Sequence, residues 1–205
     1  MADCFIIRRG GNNVVNSKKI IYNIPLKTSL EDISGYNRTT TYSGDTEQTI
    51  SAVNGLYLYK NSIKLDMNFL NDVINDKFII DFDFQYNSTG TSSNPYWRRI
   101  MYWSKFIMEI AYSGTTSLNT ISMVSMVGTS SSSTSVNTYN DMIWHHGKLS
   151  VDLTSKSFVL EIDNGAETLS VTVTSTFDSE FYFGHDSYGL NGYIKNVVIT
   201  TGDEQ

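Results

Sequence analysis

The sequence predicts an all-β domain, a sandwich or barrel of antiparallel strands, on three observations. Tyr (13 residues) and Phe (10) are abundant together with Thr, Val and Ile, while the helix-favouring Ala, Glu and Lys are sparse. From Gly55 onward, apolar and polar residues alternate with period two in run after run. Turn residues separate these runs at the spacing a sandwich or barrel requires. A chain of 205 residues is long enough for one sizeable core.

Residues 1–50 differ from the rest of the chain and read as an N-terminal arm or attachment segment, with the main domain over 51–205. They hold a short apolar strand, Phe5 to Ile7, then "RRGGNN", a second apolar patch "IIYNIPL", and the polar run "SGYNRTTTYSGDTEQT". In "MNFLNDVIND" (67–76), the spacing of Phe69, Leu70, Val73 and Ile74 predicts one short helical turn. "KFIIDFDFQY" is the clearest strand. Phe78, Ile80, Phe82, Phe84 and Tyr86 point one way and Ile79, Asp81, Asp83 and Gln85 the other, as in an antiparallel sheet with one face on a core. "KFIMEIAY" repeats the pattern with Phe106, Met108, Ile110 and Tyr112, and "KLSVDLTS", "SFVLEI", "TLSVTVTS", "EFYFG" and "YIKNVVIT" continue it. The Ser/Thr tract "GTSSSSTSVNTYND" (128–141) reads as a surface loop on composition.

Charge and composition narrow the function. The net charge of −6 and the pI near 5.0 supply no basic field for a phosphate backbone, so nucleic acid is not an expected partner. The longest apolar runs fall far short of the ~20 residues a membrane span needs. Cys4 is the single cysteine, so no intrachain disulfide forms, and it reads as a small buried hydrophobe. The opening "MADCFIIRRGGNN" lacks the apolar core of a secretory signal. This predicts a chain made in the cytoplasm, acting outside a cell only after release by lysis, as virion proteins are.

The stretch "VLEIDNGAETL" (159–169) comes close to an E-x-D-x-x-E arrangement, such as carries the nucleophile and acid/base of some glucan-cleaving sandwich enzymes. Asn164-Gly165, however, is a strong two-residue hairpin signal, because a type I′ turn needs φ > 0 at both central positions. That turn pairs Ile162 with Glu167 and Leu160 with Leu169, and sends Glu167 to the face opposite Glu161 and Asp163. A two-carboxylate glycosidase needs its groups on one side of the sugar, about 5–10 Å apart. The stretch is read as a turn, and the protein as a non-enzyme. Asp81 and Asp83 are the only comparable pair, and a solvated sheet face accounts for them better than a hydrolase site does.

The passage "WHHGKLSVDLTSKSFVLEIDNG" (144–165) resembles the W-H-x-x-x-V…L-x-x-DG stretch of laminin-G-like, concanavalin A-like domains. "FYFGHDSYGLNGYIKNVVIT" (181–200) is similar to their closing segment, "DKFIIDFDFQY" to their F-T-I-D-F-W strand, and "NSIKLD" to the short strand before it. The likeness spans about residues 56–201. It implies a jelly-roll sandwich of two antiparallel sheets, in a family of sugar-binding modules, protein-binding modules and a minority of enzymes. "MADCFIIRRGG" resembles the starts of bacteriophage tail and head-decoration proteins, which would place the domain on a virion.

Candidate sites follow from chemistry and from this resemblance. "NPYWRRIMYW" (94–103) sets Tyr96, Trp97, Tyr102 and Trp103 around Arg98 and Arg99; aromatic surfaces suit the C–H face of a sugar and Arg its hydroxyls. Tyr96, Trp97, Arg99 and Trp103 are the candidate ligand-binding residues there, against the alternative that one or two of the rings pack in the core. The loop "HDSYGLNG" adds Asp186, Tyr188 and Asn191. Trp144-His145-His146 invites a metal reading, but adjacent strand residues point to opposite faces and cannot readily chelate one ion. The resemblance gives the Trp and the first His a structural role. No motif requires a cofactor; calcium, which related domains often hold at a loop rim, is the alternative, with Asp141, Asp163 and Asp186 as candidate ligands.

The expected function is a non-catalytic, lectin-like carbohydrate-binding module, a phage or prophage virion component recognising surface glycans. The alternative is a purely structural virion or surface protein that assembles through residues 1–50 into a defined oligomer, which deletion of those residues would break up, and binds no sugar.

Overall fold

The computed structural model describes residues 18–44, 49–86, 98–113, 116–126, 131–139, 141–174, 180–187 and 190–201. Cys4, the Phe5–Ile7 strand, Tyr96, Trp97 and Tyr188 lie outside them. In chain order the strands are β1 (Lys19–Ile24), β2 (Thr40–Gly44), β3 (Ile50–Ser51), β4 (Gly55–Tyr57), β5 (Asn61–Leu65), β6 (Lys77–Tyr86), β7 (Arg98–Trp103) and β8 (Phe106–Ser113). They continue as β9 (Thr116–Ser125), β10 (Ser131–Thr138), β11 (His145–Asp152), β12 (Ser157–Ile162), β13 (Glu167–Thr172), β14 (Phe181–Gly184) and β15 (Gly192–Thr201). One 3₁₀ helix, Met67–Asp72, occupies the predicted helical turn; Asp66 caps it by accepting from the Asn68 N–H at 3.0 Å.

Two antiparallel sheets form a jelly-roll β-sandwich, as the alternating runs and the family likeness led us to expect. The first has the order β13-β12-β11-β6-β15-β4-β3, with β1 also on β15; the second has the order β10-β9-β8-β7-β14-β5-β2. β15 bulges after Lys195, where Asn196 takes φ +53°; the residues before the bulge pair with β4 and those from Val197 on with β1.

The core lies between the inner faces. Strand β6 alternates as its sequence demands, burying Phe78, Ile80, Phe82, Phe84 and Tyr86. Trp103 of the second sheet packs against Phe78 and Phe158 of the first, at 6.0 Å between ring centroids in each case, and against Phe181 at 5.6 Å. Each such ring, fully buried, contributes about 1.5–3 kcal/mol by leaving water.

Two expectations are corrected. The boundary at residue 50 falls inside the sandwich, because β1 pairs with β15 and β2 with β5, one in each sheet. Arg38, between them, donates through Nε to the Ile21 carbonyl at 2.8 Å and forms an ion pair with Asp72. The Ser/Thr tract read as a loop supplies β10, whose residues Ser131–Thr134 run antiparallel to Ser122–Ser125 of β9. A Ser/Thr-rich sequence suits an edge strand, where hydroxyls tolerate exposure and β-branched Thr fits the pleat.

Candidate functional site

On the outward face of the second sheet, four neighbouring strands build a groove of about 310 Å³. One wall is aromatic. Tyr102 of β7 and Tyr182 of β14 are ladder partners, so their side chains leave the sheet on one face and stack, centroids 6.1 Å apart at 30°. His185 meets the Tyr102 ring edge-on at 6.1 Å, and the Arg99 guanidinium lies over the same ring, 5.3 Å from its centroid.

The opposite wall is polar. Asp186 accepts from the Ser62 hydroxyl of β5 at 2.6 Å and from the Ser43 hydroxyl of β2 at 3.1 Å. Gly184 makes this possible: its φ of +81° turns the chain out of β14, and a Cβ there would stand 2.3 Å from the Asn61 carbonyl oxygen. Lys64 donates to one oxygen of Glu180 and the Tyr182 hydroxyl to the other, clamping the Tyr182 ring in place. Burial, then the Glu180 contact and the Asp186 charge, push the Tyr182 hydroxyl up to about 12. Burial lowers the His185 imidazole, and the Arg99 charge adds to the shift against a smaller opposing pull from Asp186, which favours the neutral ring.

The sequence candidates divide. Asp186 lines the groove and Arg99 borders it. Trp103 does neither: its side chain is 0 % exposed, the core-packing alternative, because its ladder partners Phe106 and Phe181 face inward with it. Asn191 accepts from the Tyr57 hydroxyl at 2.9 Å, beside β15 of the first sheet. Tyr182, Ser62, Ser43, Lys64 and His185 went unrecognised as site residues. Alternation held one usable signal: if Trp103 points inward, Tyr102 points out.

The candidate calcium ligands do not converge. Asp163 and Asp141 flank His145, its Nδ1 2.7 Å from one and its Nε2 3.0 Å from the other, while Asp186 binds serines of the second sheet. Among the described residues no group of three or more His, Cys, Asp or Glu side chains is placed to hold a metal ion. His146 points away from buried His145, as adjacent strand positions must, and sits 3.0 Å from Asp83 and 3.5 Å from Asp81. Asp83 also accepts from Asn196 at 2.7 Å, so this pair belongs to a polar network on the sheet face.

The carboxylates of 161–167 scatter as the hairpin register requires. Ile162 pairs with Glu167 and Leu160 with Leu169. Glu161 reaches Lys148 at 3.7 Å, Asp163 reaches His145, and Glu167 turns to β10, accepting from the Asn137 amide N–H at 3.3 Å and the Tyr139 hydroxyl at 2.9 Å.

No family model matches the chain, and no curated protein matches it in sequence. Solved structures do match in fold. The botulinum neurotoxin serotype C1 binding domain superposes with a TM-score of 0.64 at 16 % identity, over 91 % of this chain and 49 % of that one. The binding domain of botulinum neurotoxin DC in complex with SialylT gives 0.63 at 15 %, with the same coverage of each chain. A type C structure, described by the dependence of cell entry on two ganglioside molecules, gives 0.62 at 14 %, again over 91 % and 49 %. The chain thus spans about half the length of these chains, and what it shares with them is the jelly-roll sandwich fold.

Proposed function

We propose that the protein is a non-catalytic glycan-binding module whose site is the groove on the second sheet. The observation that carries this reading is the meeting of the Tyr102–Tyr182 pair with the Asp186–Ser62–Ser43 cluster in one cleft. A pyranose presents an apolar C–H surface and a rim of hydroxyls, and the groove offers a counterpart to each. Its volume lies at the small end of the range for ligand clefts, about 300–1,000 Å³, which suits a short sugar rather than a long chain. Two of the fold relatives are described with SialylT or with gangliosides, which accords with a glycan ligand. The bacteriophage setting rests on residues 1–11 alone, outside the described residues, and is no part of this proposal.

A glycan array probed with the purified protein, with calcium and again with a chelator, tests it. Binding is expected to fall at least tenfold in Tyr102→Ala and in Tyr182→Ala, with the fold intact by circular dichroism. Loss of signal with the chelator alone would bring an ion into the site. A folded protein silent on the array in both conditions would sink the glycan reading and leave the assembly role.

A further inference from the structure

Resting on the glycan reading, we infer that the groove takes an uncharged sugar and discriminates against sialylated and other acidic ones. The polar wall is stocked with acceptors. Each Asp186 oxygen takes one serine hydroxyl and keeps a lone pair to spare. Ser43 and Ser62, having committed their only O–H to Asp186, can meet a ligand only as acceptors. Tyr182 has committed its hydroxyl to Glu180. A neutral sugar supplies the O–H donors this wall needs; a carboxylate supplies none.

Charge points the same way. Among the described residues that line the groove, Lys64 is the one lysine or arginine, against the carboxylates of Glu180 and Asp186. Lys64 is held by Glu180, which leaves the Asp186 charge balanced only by neutral hydroxyls. Nearby, Arg99 lies over the Tyr102 ring, and burial lowers the His185 imidazole, which disfavours a further cation there. An acidic sugar would bring its negative charge beside Asp186, whose own charge repels it. The net charge of −6 on the whole chain opposes its approach as well.

The test is an array of oligosaccharides printed in matched pairs, with and without terminal sialic acid, probed with the wild type and with Asp186→Asn. The neutral member of each bound pair is expected to bind at least tenfold more tightly, and Asp186→Asn to shrink that ratio severalfold by removing the charge while keeping the side-chain shape. Tighter binding of the sialylated members would overturn this inference and leave the glycan reading standing. An unchanged ratio in Asp186→Asn would overturn the assignment of selectivity to that carboxylate. Silence towards every pair from a folded protein would overturn both.

Discussion

Glu109 shows how one residue can depart from what its place in a run suggests. It alternates with Met108 and Ile110, which are buried in the core, and so stands on the outward side of β8, where a charged residue is ordinarily solvated. It is nevertheless only 6 % exposed, and burial pushes its carboxyl up to about 7 against a smaller downward pull from Arg99. An acid whose pKa is higher folded than unfolded holds more protons in the folded state at any pH between the two values. Stability therefore declines as pH rises from about 4.5 towards about 7 and levels off above it. A shift of this size sets a ceiling of about 3 kcal/mol on the effect. Glu109→Gln is expected to abolish that decline and to be more stable than wild type at pH 8, which urea denaturation at several pH values would read out. A variant whose stability kept the wild-type decline would show that Glu109 does not govern it. Alternation shows which side of a strand a residue takes. It does not show what covers that side, so the buried glutamate was illegible, as was the Tyr102–Tyr182 wall, whose partners are 80 residues apart in sequence.

The hairpin of β12 and β13 was legible because its information is local. Asn164 and Gly165 take φ of +58° and +83°, the turn a two-residue connection requires, and the register then follows by counting outward. Strand β10 is the opposite case. Its Ser/Thr composition matches a loop as well as an edge strand, and beyond its ladder with β9 it is held by Glu167, some thirty residues away. That carboxylate accepts from the Val136 N–H, from the Asn137 amide at 3.3 Å and side chain at 3.0 Å, and from the Tyr139 hydroxyl at 2.9 Å. These bonds hold its pKa below the ordinary glutamate value despite the opposing effect of burial. Removing the acceptor leaves several donors without it, at about 1–3 kcal/mol. Glu167→Ala is expected to lower stability by roughly that amount and to speed amide hydrogen exchange along β10 and β9 before the rest of the second sheet. Uniform acceleration across both sheets would mean that β10 does not open as a separate unit.

At the scale of the whole molecule, alternating runs were enough to establish an all-β fold, and the order of four loose motifs pointed to a jelly roll. Neither showed that the polar first quarter of the chain belongs to the sandwich. Long-range pairing decides that: β1 lies along β15 and β2 along β5, and Ile21, Tyr22 and Ile24 are each 0 % exposed. Sequence reading is blind here because "KKIIYNIP" is too short and too poorly alternating to name its partner; Ile20 meets Thr200, 180 residues away. The consequence bears directly on the assembly alternative, for which a deletion of residues 1–50 is the obvious test. That deletion strips β15 and β5 of neighbours and takes Ile21, Tyr22, Ile24 and Leu26 out of the core, each worth about 1.5–3 kcal/mol of burial. The sum approaches the entire stability of an ordinary domain, about 5–15 kcal/mol. A chain starting at residue 51 is therefore expected to lose its near-ultraviolet circular dichroism and its cooperative thermal transition. Any oligomer lost with them would report unfolding, not a severed attachment arm. A cooperative transition retained in the shortened chain would show instead that the second sheet and the rest of the first stand without β1 and β2, and only then would oligomer loss speak for assembly through the N-terminal residues.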